Sequence, residues 1–260
     1  MNDFKSKYGP WAMVAGASEG LGAAWAEALA NRGLNLVLIA RRREKLEELA
    51  AVLKEKYSVE IICHAADLSD FDPVRQFVST LDVPVGLLVY NAAFATIGPF
   101  SDIPEEDLSR IVDVNIRGPL LLTRLLVPAM MARGRGGIIL MSSLAGGQGS
   151  PKIATYAASK AFNTILAEGI WKELKGHGID VLATRAGAIR TPAYQDASSS
   201  KDAPGTLDPG EVVEAALKGL GRGPVTIPGF TNKLANVFMS RLFTRKTAIS
   251  IMDNNTKNLT

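Results

Sequence analysis

Tyr156 and Lys160 stand four positions apart in the alanine-rich stretch SPKIATYAASKAF, residues 150–162. On a helix that spacing puts a phenol and an ammonium on one face, one turn apart. Two readings follow. The pair is an ordinary surface contact, or it is a proton donor tuned by a cation, since a nearby positive charge favours phenolate and lowers a phenol pKa from ~10. Tyr-x-x-x-Lys also arises by chance, and the pair alone decides nothing.

A second group able to do chemistry is GASEGLG, with Gly16, Gly20 and Gly22, directly after the apolar run WAMVA. Glycine lets backbone approach a pyrophosphate, and a helix beginning there offers free N–H groups and a positive dipole end. The spacing is Gly-x-x-x-Gly-x-Gly, and a structural tight turn is the competing reading. Its place between an apolar run and a helical pattern near the N-terminus favours a phosphate cradle. The next apolar run ends in Ala40 and passes straight into Arg41, Arg42 and Arg43. An acidic residue at that point would hydrogen-bond a ribose 2′-hydroxyl, whereas guanidinium groups suit a 2′-phosphate. Cations oppose the dipole at a helix start, so a phosphate ligand explains them better than a surface coat does. NADP is the expected cofactor, with Arg41 on its 2′-phosphate.

Composition removes several classes. The 260 residues carry 29 Lys+Arg against 26 Asp+Glu, and a net charge of +3 gives no reason to expect a nucleic-acid partner. Cys63 is the only cysteine, and His64 and His177 are the only histidines, which excludes a disulfide framework and leaves too few ligands for a zinc site or a histidine-based triad. Cys63, in VEIICHAAD, reads as a strand cysteine packed in apolar surroundings. The N-terminal MNDFKSKYGPW has neither the apolar core nor the cleavage site of a signal peptide, and no run of about 18 apolar residues occurs. A cytoplasmic protein without a membrane span is expected.

These groups need elements to position them. WAMVAG (11–16), LNLVLIA (34–40), VEIICHAA (59–66), VGLLVYNA (85–92), GGIILMSS (136–143) and IDVLATRAG (179–187) are short and apolar on both faces, as strands of a covered parallel sheet must be. Helical patterns alternate with them, including LGAAWAEALANRG (21–33), closed by Gly33, and RREKLEELAAVLKEKY (42–57). The alternation predicts an α/β fold: one doubly wound, Rossmann-type parallel sheet with helices on both faces, in a single domain over 1–260. Residues 191–210 read as a long polar loop able to cover a substrate, followed by a helix at EVVEAALKGLG and a short strand at PVTIPG. The tail near 231–246 is amphipathic and basic; packing on the body or on a neighbouring subunit is the expectation, with membrane-surface contact the lesser reading.

Taken in order, these motifs resemble the short-chain dehydrogenase/reductase family over nearly the whole chain. The residues that carry the resemblance are the glycine loop at 16–22, Asp67-Leu68, Asn91-Ala92-Ala93, Asn115 in VNIRG, Ser143 in SSLAG, Tyr156-Ala-Ala-Ser-Lys160, and Gly187 through Thr191. The resemblance implies a catalytic tetrad of Asn115, Ser143, Tyr156 and Lys160. Of two adjacent serines, Ser143 lies at the family's distance before Tyr156, thirteen positions, and Ser142 would face the other way along the strand. Tyr156 is then the proton donor in reduction and acceptor in oxidation, while Lys160 stabilises the phenolate and reaches the nicotinamide ribose. Ser143 holds the substrate oxygen, and Asn115 positions a water leading from Lys160. The implied cofactor contacts are Gly16, Ser18, Gly20 and Gly22 for phosphates and ribose. Asp67 and Leu68 would lie by adenine, Asn91 by the adenosine ribose, and Ile189 and Thr191 by the carboxamide and phosphates.

Three positions depart from the family pattern: Ala15 where Thr is usual, Tyr90-Asn91-Ala92-Ala93 where Asn-Asn-Ala-Gly is usual, and Ala186-Gly187 where Pro-Gly is usual. None removes a proton-transfer group. The flanks YGPWAMVAGASEGLG and PGEVVEAALKGLGRGPVTIPGFTNK resemble hydroxysteroid dehydrogenases and 3-oxoacyl reductases, members acting on lipophilic ketones. The resemblance also implies a homodimer or homotetramer built on helices over roughly 107–133 and 154–175. A non-catalytic dinucleotide-binding regulator, and a lyase, epimerase or dehalogenase on the same scaffold, are the alternatives.

Overall fold

The computed structural model describes residues 2–192, 194 and 202–257 of the chain. Seven parallel strands run β1 (Trp11–Ala15), β2 (Asn35–Ala40), β3 (Ile61–Ala65), β4 (Val85–Tyr90), β5 (Gly136–Ser143), β6 (Ile179–Ala186) and β7 (Val225–Thr226), in the spatial order β3-β2-β1-β4-β5-β6-β7. Six of them are the apolar runs read from the sequence, β5 over the same residues and the others shorter by one to three. The helices between them are α1 (Asn2–Tyr8), α2 (Gly20–Ala30), α3 (Arg43–Tyr57), α4 (Phe71–Thr80), α5 (Glu105–Val112), α6 (Gly118–Arg133) and α7 (Ala154–Leu174). Beyond β6 come α8 (Pro209–Gly219), α9 (Phe230–Val237) and α10 (Arg245–Thr256).

Side chains alternate across the sheet and feed two cores. From β1, β2 and β4 one face receives Val14, Leu38 and Val89, packed with Trp25 and Leu29 of α2 and Val212 of α8. The other receives Met13, Val37 and Leu88, packed with Leu122 and Met130 of α6 and Ala167 of α7. Each such side chain taken fully from water contributes roughly 1.5–3 kcal/mol, and this burial on both faces explains why the strands carry no polar alternation. Cys63 of β3 is a free thiol within hydrogen-bond range of the Leu46 carbonyl, and its burial pushes the thiol pKa up, as an inert strand cysteine requires.

Local chemistry sets the helix ends. Gly33, at φ 76°, closes α2, with its N–H on the Ala30 carbonyl and the Leu34 N–H on that of Leu29. Asp70 caps α4, and Glu211 accepts from the Asp208 N–H at the start of α8. The long helix expected over 107–133 is interrupted: Asp113–Arg117 form a π turn between α5 and α6. The segment expected as a covering loop, 191–210, falls largely outside the described residues. At its described ends Arg190 pairs with Asp202 and Asp208 at 2.6 and 2.7 Å, and the Tyr194 hydroxyl accepts from the Ala203 N–H at 3.0 Å.

The order of strands turns back on itself at β1, which pairs with β2 on one side and β4 on the other. Ligands of such sheets bind beyond the carboxyl ends of the strands at this switch.

Candidate active site

Beyond the ends of β1, β2 and β4 lies a cleft of ≈ 450 Å³. It is lined by Gly16, Ser18, Gly20, Arg41, Asp67, Leu68, Asn91, Tyr156 and Thr191, nine residues singled out in the sequence, now in one cavity. The glycines act in different ways. Gly16 has φ 84°, and a Cβ there would press into the Ala92 backbone, so the loop closes only without a side chain. Gly20, at φ 54°, faces Thr191, which places the chain beyond β6 against the loop. Gly22 is buried, and a Cβ there would collide with the Gly16 carbonyl. Its role is to seat α2 tightly under the loop, and among the cleft's lining residues it does not appear.

The cationic end of the cleft differs from expectation in one respect. Arg41 and Arg42 both line it, but it is Arg42 that lies over the glycine loop, 3.3 Å from the Ser18 hydroxyl and paired with Glu19 at 2.6 Å. Arg43 turns away to Glu47 and is an ordinary helix surface residue. Lys45 joins Glu19 at 3.1 Å, and together the two cations hold the Glu19 carboxyl below its usual range, chiefly through the Arg42 hydrogen bond. Arg42 was legible as one of three arginines, yet only its contact with Ser18 separates it from its neighbours.

Just beyond β3 Asp67 is pinned by the Ser69 N–H and hydroxyl at 2.9 and 2.8 Å and by Arg110 at 2.8 Å. Partial burial works to raise the Asp67 pKa, but the Ser69 bonds and the Arg110 charge outweigh it and hold the carboxyl low. Arg110 also lines the cleft and sits over the Phe94 ring, a residue that no sequence motif marked. The Asn91 amide donates to the Gly16 carbonyl at 2.8 Å, tying β4 to the glycine loop. Ile189 is not among the residues that line the cleft; it is bridged to Leu207 and packs against the core. A cavity of this kind, with a side-chain-free loop at the start of a helix and guanidinium groups at the end of β2, fits an adenine dinucleotide bearing a 2′-phosphate.

Tyr156 and Lys160 share a face of α7, with the Lys160 Nζ 5.5 Å from the centre of the Tyr156 ring. Ser142 is settled as the inward serine: its hydroxyl donates to the Lys160 carbonyl at 2.7 Å and meets Thr164 at 2.8 Å. Ser143, at the end of β5, accepts from the Ala145 N–H at 3.2 Å, and its hydroxyl lies on the Tyr156 side, where it favours the phenolate.

The expected sign of the Tyr156 shift is corrected by the structure. Burial raises the phenol pKa, and the Ser143 hydroxyl only partly offsets this. The cation does not reverse it because the ammonium donates to the Met141 carbonyl at 3.0 Å and is itself buried, which lowers its pKa to about 8. A protonated phenol is a donor ready for reduction.

Asn115 is held by protein groups on both sides. Its side chain is fully buried: Oδ1 accepts from the Phe94 N–H at 2.8 Å, and Nδ2 donates to the Phe94 carbonyl at 2.8 Å and to Ser159 Oγ at 3.0 Å. Those bonds hold the amide on protein groups, so the side chain clamps a cleft wall to α7. Ser159 in turn donates to the Tyr156 carbonyl at 2.7 Å.

On its far side Tyr156 borders a second hollow, whose apolar lining includes Phe100, Ile103, Leu108, Ile111 and Ile153. The phenol therefore borders both the cation-ended cleft and this hollow, which is small, ≈ 20 Å³, and is also lined by Thr96, Lys152 and Thr155.

Comparison with known proteins agrees with this geometry. The model of the short chain dehydrogenase family matches residues 10–202. A 7β-hydroxysteroid dehydrogenase of Clostridium sardiniense is 32% identical over 234 residues, covering 89% of this chain and 90% of that protein. A very-long-chain 3-oxoacyl-CoA reductase of Phaeosphaeria nodorum is 30% identical over 266 residues, covering 96% of this chain and 77% of that protein. The solved structure of a short-chain dehydrogenase from Sphingobium yanoikuyae in complex with NADPH has a TM-score of 0.79 and 32% identity, covering 85% of this chain and 88% of that one.

Proposed function

The chain belongs to the short-chain dehydrogenase family, and on that premise we propose that it is an NADP(H)-dependent oxidoreductase interconverting a ketone and a secondary alcohol on a lipophilic substrate. The observation that carries this reading is the position of Tyr156, on the wall shared by the cation-ended cleft and the apolar hollow. The dinucleotide, when bound, supplies or accepts the hydride. The chain's own residues orient the reactants and move the proton. Tyr156, kept protonated by its burial, gives its proton to the substrate oxygen in reduction, and Ser143 beside it holds that oxygen. Lys160 carries the charge that steadies the phenolate left behind, and Asn115 fixes the turn of α7 that carries Tyr156. Arg41 and Arg42 hold the 2′-phosphate, with Asp67, Leu68, Asn91, Ile189 and Thr191 along the dinucleotide.

The two relatives are named for a hydroxysteroid and a very-long-chain 3-oxoacyl-CoA, each of which carries a large hydrocarbon part. The apolar side chains of the hollow support contact with the edge of such a substrate; at ≈ 20 Å³ the hollow does not enclose one. Incubation with NADPH and a panel of hydrophobic ketones tests the function: cofactor oxidation with at least one of them is expected. Its absence across oxosteroids and oxoacyl thioesters, with tight NADPH binding retained, would favour a dinucleotide-binding regulator instead.

A homodimer or homotetramer is part of the proposal. Leu120 and Met131 of α6 and Ile165 of α7 are exposed in the single chain, and a second copy would cover them. A monomer mass by light scattering at micromolar concentration would remove it. Among the described residues no helix is long and apolar enough to cross a membrane. The cytoplasm is the compartment we assign, in keeping with the free thiol of Cys63.

A further inference from the structure

The π turn that carries Asn115 has an unusual hydrogen-bond account. Within it the Gly118 N–H reaches back five residues to the Asp113 carbonyl. That bond takes the donor which an α-helix would have given to the Val114 carbonyl. The next N–H along, the one a continuing π pattern would offer to Val114, does not exist, because residue 119 is proline. Val114 thus has a buried carbonyl with no backbone donor at either separation. The donor comes from another element: the Tyr90 hydroxyl, at the end of β4, donates to the Val114 carbonyl at 2.7 Å.

Gly118 and Tyr90 are fitted to each other. A Cβ on Gly118 would fall on the Tyr90 hydroxyl, so the phenol reaches the turn only because that position has no side chain. Tyr90 is 1% exposed, and burial pushes its pKa up, so the hydroxyl remains a donor throughout the range in which the protein is folded. Neither Tyr90 nor Gly118 lines the cleft, and neither touches Tyr156 or Lys160 in any contact described above.

We propose that Tyr90 is a positioning residue, which supplies the donor missing from the Asp113–Arg117 turn and thereby sets Asn115 against Phe94 and Ser159. The route is continuous in hydrogen bonds. Tyr90 holds Val114, the neighbouring Asn115 bonds Ser159 Oγ at 3.0 Å, and Ser159 bonds the Tyr156 carbonyl at 2.7 Å. A second arm runs through Asn115 to the backbone of Phe94, which forms part of the cleft wall. If the Val114 carbonyl loses its partner, the turn is released toward the α-helical register, in which residue 118 bonds residue 114. That change rotates Asn115 out of its present direction.

This inference rests on the oxidoreductase reading, and its test separates the two. Tyr90→Phe keeps the ring in the core and removes only the donor; Gly118→Ala keeps the donor and displaces it. Amide hydrogen exchange is compared in both variants without cofactor, NADPH affinity is measured by fluorescence titration, and turnover is followed with a 7-oxosteroid as the probe ketone. Exchange across 113–118 and at residue 94 is expected to quicken roughly tenfold in each variant, with exchange in β1 and β2 unchanged. The turnover number is expected to fall about tenfold or more as Tyr156 loses its placement, while NADPH affinity stays within roughly twofold of wild type. A variant that only loosened the core would spread the exchange over the sheet and would not divide turnover from cofactor binding. Unchanged exchange at 113–118 overturns the proposal, and so does quickened exchange with undiminished turnover. Should the wild type fail to reduce any ketone, the oxidoreductase reading falls, and the exchange at 113–118 and 94 alone decides the role of Tyr90.

Discussion

The two ends of the candidate site are built in opposite ways. The cofactor end is local: Gly16, Gly20 and Gly22 shape one loop from within seven residues, and Arg41 and Arg42 follow at once on β2. The proton end is assembled across the chain. Tyr156 depends on Ser143 from β5, on Ser159 one turn along α7, and through Asn115 on the backbone of Phe94. Backbone conformation governs the first region and a buried hydrogen-bond network the second. Substitutions at the proton end should therefore act on turnover and propagate, whereas those at the cofactor end should act on affinity and stay put.

The sharpest way to break this comparison is Tyr156→Phe. The ring still fills its space between the cleft and the apolar hollow, so only the proton donor is lost. Turnover is expected to fall ~10²–10⁴-fold, as for removal of a general acid, with NADPH affinity nearly unchanged. Near-normal reduction of a good ketone by this variant would mean that the proton is supplied from elsewhere and that the two-ended picture is wrong.

Lys160 comes next, because it is buried beside Tyr156 and titrates. Burial lowers its pKa from 10.5 to about 8. A base whose folded pKa is depressed binds fewer protons folded than unfolded between those values, so stability rises with pH there. The sign is thus a contribution present above about 10.5 and lost as pH falls through about 8. The shift corresponds to roughly 3 kcal/mol. Lys160→Met should abolish this rise: urea unfolding of wild type and variant should diverge between pH 8 and 10, with the wild type gaining. The variant should also be inactive near neutral pH, having lost the charge that steadies the phenolate. Parallel stability curves over that range would show that Lys160 is already solvated as a cation.

How much of this was legible in the sequence follows the same division. The glycine loop, the parallel strands and the Tyr156–Lys160 face could be read because period, glycine placement and the four-residue repeat are local signals. That Ser142 and Ser143 face opposite ways was legible from alternation along β5, while the choice between them came from the thirteen-residue distance to Tyr156 that the family resemblance implies. The sign of the Tyr156 shift was not, because it depends on where the Lys160 ammonium points, and that is decided by the Met141 carbonyl on a different element. Asn115 was visible as a motif residue, but its use as a clamp rests on Phe94, distant in sequence. The π turn was half visible: Gly118-Pro119 breaks the helical pattern of 105–133, but the register adopted there depends on Tyr90 from another element. Arg110, which pins Asp67 at 2.8 Å, carried no signal at all beyond being one more helix arginine.

The smallest expected effects lie at the cofactor end and test whether it is local. Arg42 now spans Ser18 and Glu19, and its side chain is 47% exposed. An ion pair at that exposure contributes about 0–1 kcal/mol, less than the ~1.5–3 kcal/mol of a charge-assisted bond to a phosphate. A 2′-phosphate should therefore take Arg42 from Glu19 when it binds. Arg42→Ala is expected to weaken NADPH about tenfold and to leave NADH almost unaffected, since the lost partner exists only on the phosphorylated ribose. Glu19→Gln should do the reverse on a smaller scale, tightening NADPH by at most about fivefold as the competing carboxylate is removed. In both variants the turnover number at saturating NADPH should stay near that of the wild type, because nothing on the Arg42 side reaches Tyr156. Isothermal titration of both cofactors onto the three proteins measures the affinities, and saturated steady-state rates measure the rest. A drop in the saturated rate, or an equal loss of NADH and NADPH affinity, would show that the loop and the proton end move as one body.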